Sequence, residues 1–291
     1  MEFNGDGKAD ILSGCYSEHT PMAGLFWLLA GTGDGKVKKA EAVKGTDNKP
    51  LTIPSGEADI VKSICTQPAA HDWDGDGDMD LLTGNFEGTY FIFTNEGSKE
   101  KAAWNPKPSQ IMLGDKPLRL AGQHSGICPA DWDGDGDADI ITGSAQGGVY
   151  WSENKTAGKG APQFGDFQEI LAPSRSAPAP TSPPAQADLP ATPGDNTRAW
   201  AADVNGDGKL DLLIGDSATI TSRAAGMTEE QFTKQQTAWQ TEMDAIQEKM
   251  QSTTDDKERQ EASRKWSTHY QKRKDFLNEE RTGFVWLMLQ K

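Results

Sequence analysis

Sixteen of the 44 acidic residues of this chain fall in four nine-residue windows: 2–10, 72–80, 131–139 and 203–211. They read Glu2-Phe3-Asn4-Gly5-Asp6-Gly7-Lys8-Ala9-Asp10, Asp72-Trp73-Asp74-Gly75-Asp76-Gly77-Asp78-Met79-Asp80, Asp131-Trp132-Asp133-Gly134-Asp135-Gly136-Asp137-Ala138-Asp139 and Asp203-Val204-Asn205-Gly206-Asp207-Gly208-Lys209-Leu210-Asp211. Lys8 and Lys209 are their only basic residues, so the windows carry −14 of the formal −15 of the 291-residue chain. The remainder, with 28 acids and 27 bases, is nearly neutral. Acidity gathered in this way points to sites for something positive rather than to a diffuse solubility device. Oxygen donors at positions 1, 3, 5 and 9 of such a loop can converge on one cation. The glycines at positions 4 and 6 let the backbone turn sharply, and the carbonyl of position 7 can add another oxygen. An all-oxygen set rich in carboxylates prefers a hard ion, and its flexible geometry suits Ca²⁺ better than Mg²⁺. Four bound Ca²⁺ would move the formal charge from −15 to −7.

An EF-hand is the main rival, and it fails on the residues. Its loop needs an acidic ligand at position 12 and then a helix. Position 12 here is Ser13, Thr83, Thr142 and Ile214, and the next segment in each case reads as a strand. Other chemistries find little support. His19, His71, His124 and His269 show no HxH or HExxH spacing, and there is no G-x-S-x-G, P-loop or Rossmann fingerprint. Cys15, Cys65 and Cys128 lack CxxC spacing, which speaks against a zinc or redox pair. One disulfide with a free thiol, or three reduced thiols, are both open. There is no basic surplus to grip nucleic acid, no apolar run near the ~18 residues of a membrane span, and no leading signal pattern.

The elements that must hold the loops repeat with them. Each window runs into a short apolar segment ending in glycine: Ile11-Leu12-Ser13-Gly14, Leu81-Leu82-Thr83-Gly84, Ile140-Ile141-Thr142-Gly143 and Leu212-Leu213-Ile214-Gly215. Each unit then has a second strand-like segment, at 24–29, 88–93, 148–151 and 283–289. Inner strands are expected ahead of the loops at Ile127–Ala130 and Arg198–Ala202, and outer strands at Gln110–Leu120 and Phe164–Leu171. The windows start 70, 59 and 72 residues apart, a unit size that suggests propeller blades. Seven of the sixteen prolines fall in 173–194, which predicts an extended loop between blades, and 34–58 looks like a weaker version.

The pattern D-x-[DN]-G-D-G-x-x-D-[LI]-[LI]-x-G resembles the FG-GAP/VCBS repeat family, found in integrin α-subunit head propellers and in many bacterial secreted proteins. The resemblance spans all of the chain except about 217–282. It implies a mainly β fold, a propeller of about seven blades, with a Ca²⁺ in a loop between adjacent strands of a blade. Carried over, the ligands are Asp72, Asp74, Asp76, Asp80 and the carbonyl of Asp78, then Asp131, Asp133, Asp135, Asp139 and the carbonyl of Asp137. Asp203, Asn205, Asp207, Asp211 and the carbonyl of Lys209 form a third set, and Glu2, Asn4, Asp6, Asp10 and the carbonyl of Lys8 a fourth. Glu2 departs from the usual first aspartate, so three to four ions are expected. The first unit has no inner strand before its loop, and the last stops at Leu289-Gln290-Lys291 before an outer strand. The expectation is part of a longer propeller, with strand exchange as the other route to closure.

The domain reading is therefore blades over 1–216, an inserted helical hairpin over 217–282, and a return strand of the fourth blade over 283–291. Thr228-Glu229-Glu230-Gln231 predicts a capping box, and Phe232, Trp239, Met243, Ile246 and Met250 then recur at helical spacing. A second stripe runs through Ala262, Trp266, Tyr270 and Leu277, giving two antiparallel helices of roughly 23–26 residues. The 227–280 hairpin either packs on itself or serves as a docking arm. Trp73 and Trp132 either pack between blades or stack on sugar rings. The expected function is a non-catalytic, calcium-binding, extracytoplasmic module (secreted, cell-surface or periplasmic) that engages a protein or glycan in adhesion or scaffolding. The expected location rests on the family and the calcium loops. Two alternatives stand: a propeller-type polysaccharide lyase or other calcium-dependent carbohydrate-active enzyme, marked by His71 and His124 sharing a cleft, and a structural subunit docking through the hairpin.

Overall fold

The computed structural model describes residues 2–17, 19, 22–54, 64–156, 162–173, 184, 189–253 and 255–291. Most of the proline-rich stretch 173–194, and the end of 34–58, lie outside the described residues. Among the described residues the chain is mainly β with two α-helices, and it divides into two compact units. The first comprises Met1–Pro173, Pro193–Asp216 and Phe284–Lys291, and the second Ser174–Thr192 and Ser217–Gly283.

The first unit is a series of antiparallel sheets, one per acidic loop. Sheet 1 contains β1 (Ile11–Ser13), β2 (Trp27–Leu29) and β3 (Glu41–Ala42) in that order. Sheet 2 contains β4 (Gln67–His71), β5 (Asp80–Gly84), β6 (Tyr90–Phe93) and β7 (Ser109–Gln110). The outer segment expected over Gln110–Leu120 is broken. After β7 it forms the separate two-stranded ribbon of β8 (Met112–Leu113) and β9 (Lys116–Pro117), turned at Gly114 with φ +61°. Sheet 3 repeats the four-stranded order with β10 (Cys128–Ala130), β11 (Asp139–Gly143), β12 (Val149–Ser152) and β13 (Gln168–Leu171). Sheet 4 is built from β14 (Asp195–Ala202) and the thirteen-residue β15 (Asp211–Arg223).

Packing between the sheets obeys one rule. In each sheet the residue directly after the last loop aspartate lies on the leading face: Ile11, Leu81, Ile140 and Leu212. The next residue lies on the trailing face: Leu12, Leu82, Ile141 and Leu213. Strand alternation makes this division unavoidable. The trailing face of sheet 1, with Leu12 and Leu28, packs with Leu81 and Phe93 of sheet 2. The trailing face of sheet 2, with Leu82 and Ile92, packs with Ile140 of sheet 3. The trailing face of sheet 3, with Ile141 and Val149, packs with Leu212 and Ile214 of sheet 4. Leu81, Leu82, Ile140, Ile141 and Ile214 have no exposed surface. Burial of such side chains stabilises by roughly 1.5–3 kcal/mol each.

A backbone clip fixes each junction. The hydroxyls of Thr66, Ser125 and Thr197 accept the N–H groups of Cys15, Asn85 and Ser144, at 2.9, 3.3 and 3.0 Å. The carbonyl oxygens of the same three residues lie against Gly14, Gly84 and Gly143, where a Cβ would overlap them. The residues just ahead, Cys65, His124 and Asn196, have φ of 59°, 54° and 51°, the left-handed turn that aims each inner strand at its neighbour.

In the second unit Thr228 caps α1 (Glu229–Ser252), and both halves of the expected capping box form. The second helix is shorter than its stripe predicts. α2 (Asp256–Gln271) passes through a 3₁₀ turn at Lys272–Asp275 into β16 (Leu277–Thr282). Leu277 therefore opens a strand paired with the far half of β15 over Ala218–Arg223. The apolar reason is the cluster of Phe232, Phe276 and Leu277, which draws the chain end of the hairpin back onto the start of α1. The helices are joined reciprocally: Trp239 Nε1–H donates to the His269 carbonyl at 3.0 Å, and His269 Nε2 lies 2.9 Å from the Trp239 carbonyl. Among the described residues no helix is long and apolar enough to cross a membrane. The chain then returns to sheet 4 as β17 (Val285–Met288), paired with Leu212–Gly215 of β15.

Candidate metal centre

Each acidic loop leads into the start of a strand, β1, β5, β11 or β15, and the last three also follow an inner strand, β4, β10 or β14; the shape of each comes from its own side chains. Asp74 Oδ1 accepts the Asp76 N–H at 3.3 Å, and Asp76 Oδ1 accepts the Asp78 N–H at 3.0 Å. Asp133 and Asp135 repeat this with Asp135 and Asp137 at 3.2 and 3.1 Å, and Asn205 and Asp207 with Asp207 and Lys209 at 2.8 and 2.9 Å. Asn4 and Asp6 do the same for Asp6 and Lys8, at 3.0 Å each. The first residue closes the loop: Asp72 Oδ2 accepts from Gly77, Asp131 from Gly134 and Gly136, Asp203 from Gly206 and Gly208, and Glu2 from Gly5. The glycines at positions 4 and 6 make these turns possible. Gly75 and Gly77 have φ of 75° and 97°, and Gly134 and Gly136 have 80° and 98°.

The turns gather the carboxylates. One oxygen each from Asp72, Asp74 and Asp76 lie within 4.8 Å of one another, as do those of Asp131, Asp133 and Asp135. Three buried oxygens in these two loops have no hydrogen-bond partner: Asp72 Oδ1, Asp78 Oδ1 and Asp137 Oδ1. A buried, unpaired carboxylate oxygen is costly, and a cation is the partner that suits it. Burial, then the neighbouring Asp76 and Asp74, hold the Asp78 carboxyl above the usual range; burial, then Asp135 and Asp133, do so for Asp137. The side chains of Asp78 and Asp137 were assigned only a carbonyl role by the sequence pattern. Neither belongs to the close triads, but each keeps one buried carboxylate oxygen without a hydrogen-bond partner beside them.

The other two loops are quieter. Lys8 Nζ lies 3.5 Å from Asp6 Oδ2, and Asn205 Nδ2 donates to Asp207 Oδ2 at 3.1 Å. The backbone N–H of Lys209, then the Asn205 amide, hold the Asp207 carboxyl below its ordinary value. Positions 3 and 7 make the difference: Asp74, Asp133, Asp78 and Asp137 add charge, whereas Asn4 and Asn205 are neutral and Lys8 and Lys209 remove it.

The ninth-position aspartates have a further task. Asp80 Oδ2 accepts the Trp73 N–H and its Oδ1 the Asn95 N–H; Asp139 does the same for Trp132 and Asn154. Asp211 holds Val204 and Gln290, and Asp10 holds Phe3 and Gly31. All four are buried. Burial pushes the carboxyls of Asp80 and Asp139 up to about 6, against the lowering effect of those N–H groups. These aspartates pin the loop neck to the end of the next strand, and none belongs to the close carboxylate triads.

The loop tryptophans pack. Trp73 stacks on Phe164 at 5.9 Å and 21°, and Trp132 lies against the core between sheets 3 and 4. His71 meets Trp73 edge-on at 6.2 Å, and His124 lies 4.4 Å from Phe86, so the two histidines have different neighbours. The three cysteines are free thiols, with Cys65 and Cys128 buried.

Residues 72–142 and 131–214 match the FG-GAP-like repeat, a stretch that includes three of the four acidic loops. No curated protein matches the chain.

Proposed function

On a chain that belongs to the FG-GAP repeat family, we propose a calcium-binding, propeller-type module that works by binding rather than catalysis. The observation that carries this reading is the pair of carboxylate triads with orphaned buried oxygens, at 72–80 and 131–139. Asp72, Asp74, Asp76 and Asp78 would hold one ion, and Asp131, Asp133, Asp135 and Asp137 a second. Asp203, Asn205 and Asp207, and Glu2, Asn4 and Asp6, would hold weaker ones, because lysine and amide groups already balance those loops. The bound ion supplies positive charge to carboxylates that otherwise repel one another. The residues themselves fix the turn, align the oxygens and tie the loop to the sheet. Ca²⁺ that binds only the folded loops stabilises the fold by mass action. Sites of this kind stay filled at extracellular calcium levels, which supports a place outside the cytoplasm and a protein or glycan partner engaged by the sheets or the hairpin.

Isothermal titration of chelator-stripped protein with Ca²⁺ tests this. Two tighter sites and up to two weaker ones are expected, with Asp74→Asn and Asp133→Asn each removing one tight site. A folded protein that takes up no Ca²⁺ would overturn the reading.

A further inference from the structure

The residue directly after each clip hydroxyl holds the same place in three successive units: Gln67 in sheet 2, Gly126 just ahead of β10 in sheet 3, and Arg198 in sheet 4. Gly126 has no side chain, and its two equivalents converge on the space beside it. A Cβ at Gly126 would lie 2.9 Å from Gln67 Oε1 and 3.7 Å from Arg198 Cδ. His124 borders the same space. Gln67 Nε2 donates to its carbonyl at 3.4 Å, and its Nδ1 lies 3.7 Å from Cys65 Sγ. Tyr16, 59% exposed, sets its ring 6.0 Å from the imidazole. The acidic loops follow the ends of the inner strands β4, β10 and β14, whereas Gln67 opens β4 and Gly126 precedes β10.

Arg198 is half-buried. A guanidinium carries five N–H donors. Among the described residues Arg198 makes one hydrogen bond, from Nη1 to the carbonyl of its neighbour Thr197 at 2.7 Å. Among the described residues no carboxylate pairs with it, although the chain has 44 acidic residues. Burial therefore draws its pKa down from the ordinary 12.5, opposed only by the Cys65 thiol. A cation drawn partly out of water with unused donors is costly until an anion meets it.

We propose that Arg198, with the Gln67 carboxamide and the His124 imidazole, forms a binding site for the carboxylate of a small organic acid. One guanidinium matches one negative charge and a planar pair of oxygens. A phosphate carries more charge than one guanidinium balances, and a polyanion would meet the repulsion of a chain at −15. The ring of Tyr16 offers an apolar wall to the carbon body of the ligand. The site shares no residue with the acidic loops, so the inference is independent of the cation reading.

NMR of the His124 imidazole tests it, on the intact protein in excess Ca²⁺ at fixed pH and ionic strength. The resonances are assigned by their loss in His124→Asn. The probes are sodium glucuronate, glucose as a similar ring without the charge, and inorganic phosphate. Glucuronate is expected to shift the His124 resonances to saturation with a Kd of about 1 mM, and phosphate to bind about tenfold more weakly. Glucose is expected to leave them in place. Bound carboxylate is also expected to raise the titration midpoint of His124, because it offsets the charge of Arg198. Arg198→Gln is expected to weaken glucuronate about tenfold or more, and Arg198→Lys, which keeps the charge and loses the fork, by less. Far-UV circular dichroism checks that both variants fold, and the comparison of probes on the wild type stands without them. No saturable shift up to about 100 mM glucuronate, a hundred times the expected Kd, overturns the proposal. So does glucose or phosphate binding as tightly as glucuronate, or a folded Arg198→Gln with undiminished affinity.

Discussion

Asp80 Oδ2 accepts the backbone N–H of Trp73 at 3.0 Å, bridging the first and last turns of its acidic loop. Its other oxygen takes the Asn95 N–H at 2.8 Å, so one buried carboxylate ties the loop to the end of β6. Hydrogen bonds to ionised groups are stronger than neutral ones, and a buried N–H left without a partner is costly. Asp80→Ala is expected to lower stability by about 2 kcal/mol or more even in chelator. Asp74→Asn, which keeps an amide oxygen for the Asp76 N–H, is expected to change stability in calcium and little without it. Urea melts in both conditions separate the two roles. Equal loss for both variants in calcium alone would make Asp80 only a cation ligand.

The small residue closing each apolar run sets how near the next sheet can come. Gly84→Ala and Gly143→Ala place a methyl on the carbonyls of Ser125 and Thr197, and each is expected to cost more than about 2 kcal/mol. Gly215→Ala meets no atom within 4 Å, and removing a strand glycine is expected to add about 0.5–1 kcal/mol. Thermal melts of the three variants check the order.

His124 packs on Phe86 and beside Cys65 Sγ, 3.7 Å from its Nδ1. Burial, then the charge of Arg198, holds its pKa below the ordinary 6.5. The folded state therefore resists protonation that the unfolded chain accepts. Its stabilising contribution is complete above pH 6.5 and declines as pH falls from there to the folded pKa, where the slope ends. An NMR titration of the imidazole protons is expected to give a midpoint below that of an exposed histidine. The steepness of stability against pH just below 6.5 should shrink in His124→Asn, an exchange that a left-handed φ of 54° tolerates.

Phe232 holds the hairpin to its own base through Phe276 at 5.7 Å and Leu277. Phe232→Ala is expected to cost about 3–5 kcal/mol within the second unit. Limited proteolysis should then cut near the junction of α1 and β15 at protease levels that spare the wild type, while sheet 2 and sheet 3 remain intact.

The loops, the strands after them and the cap at Thr228 were legible because their causes are local. Carboxylates two residues apart on a Gly-x-Gly turn accept the backbone N–H groups two residues on, strand alternation has a period of two, and a capping box closes on itself. The strand pairing of Ala218–Arg223 with β16 was also signalled, by the β-branched run Thr219-Ile220-Thr221, but the helical stripe beside it masked the signal. A Ser or Thr six residues ahead of the loop acid, at Thr66, Ser125 and Thr197, was likewise present in the chain. Its meaning as a clip required seeing which backbone each hydroxyl reached, 40 to 53 residues away. The tertiary structure alone decided two things: that the ninth aspartate braces a neck against a strand end 15 to 79 residues away, and that Asp78 and Asp137 each keep a buried oxygen without a hydrogen-bond partner. Each depends on the distance and burial of groups remote in sequence, and composition or spacing along a chain carries neither.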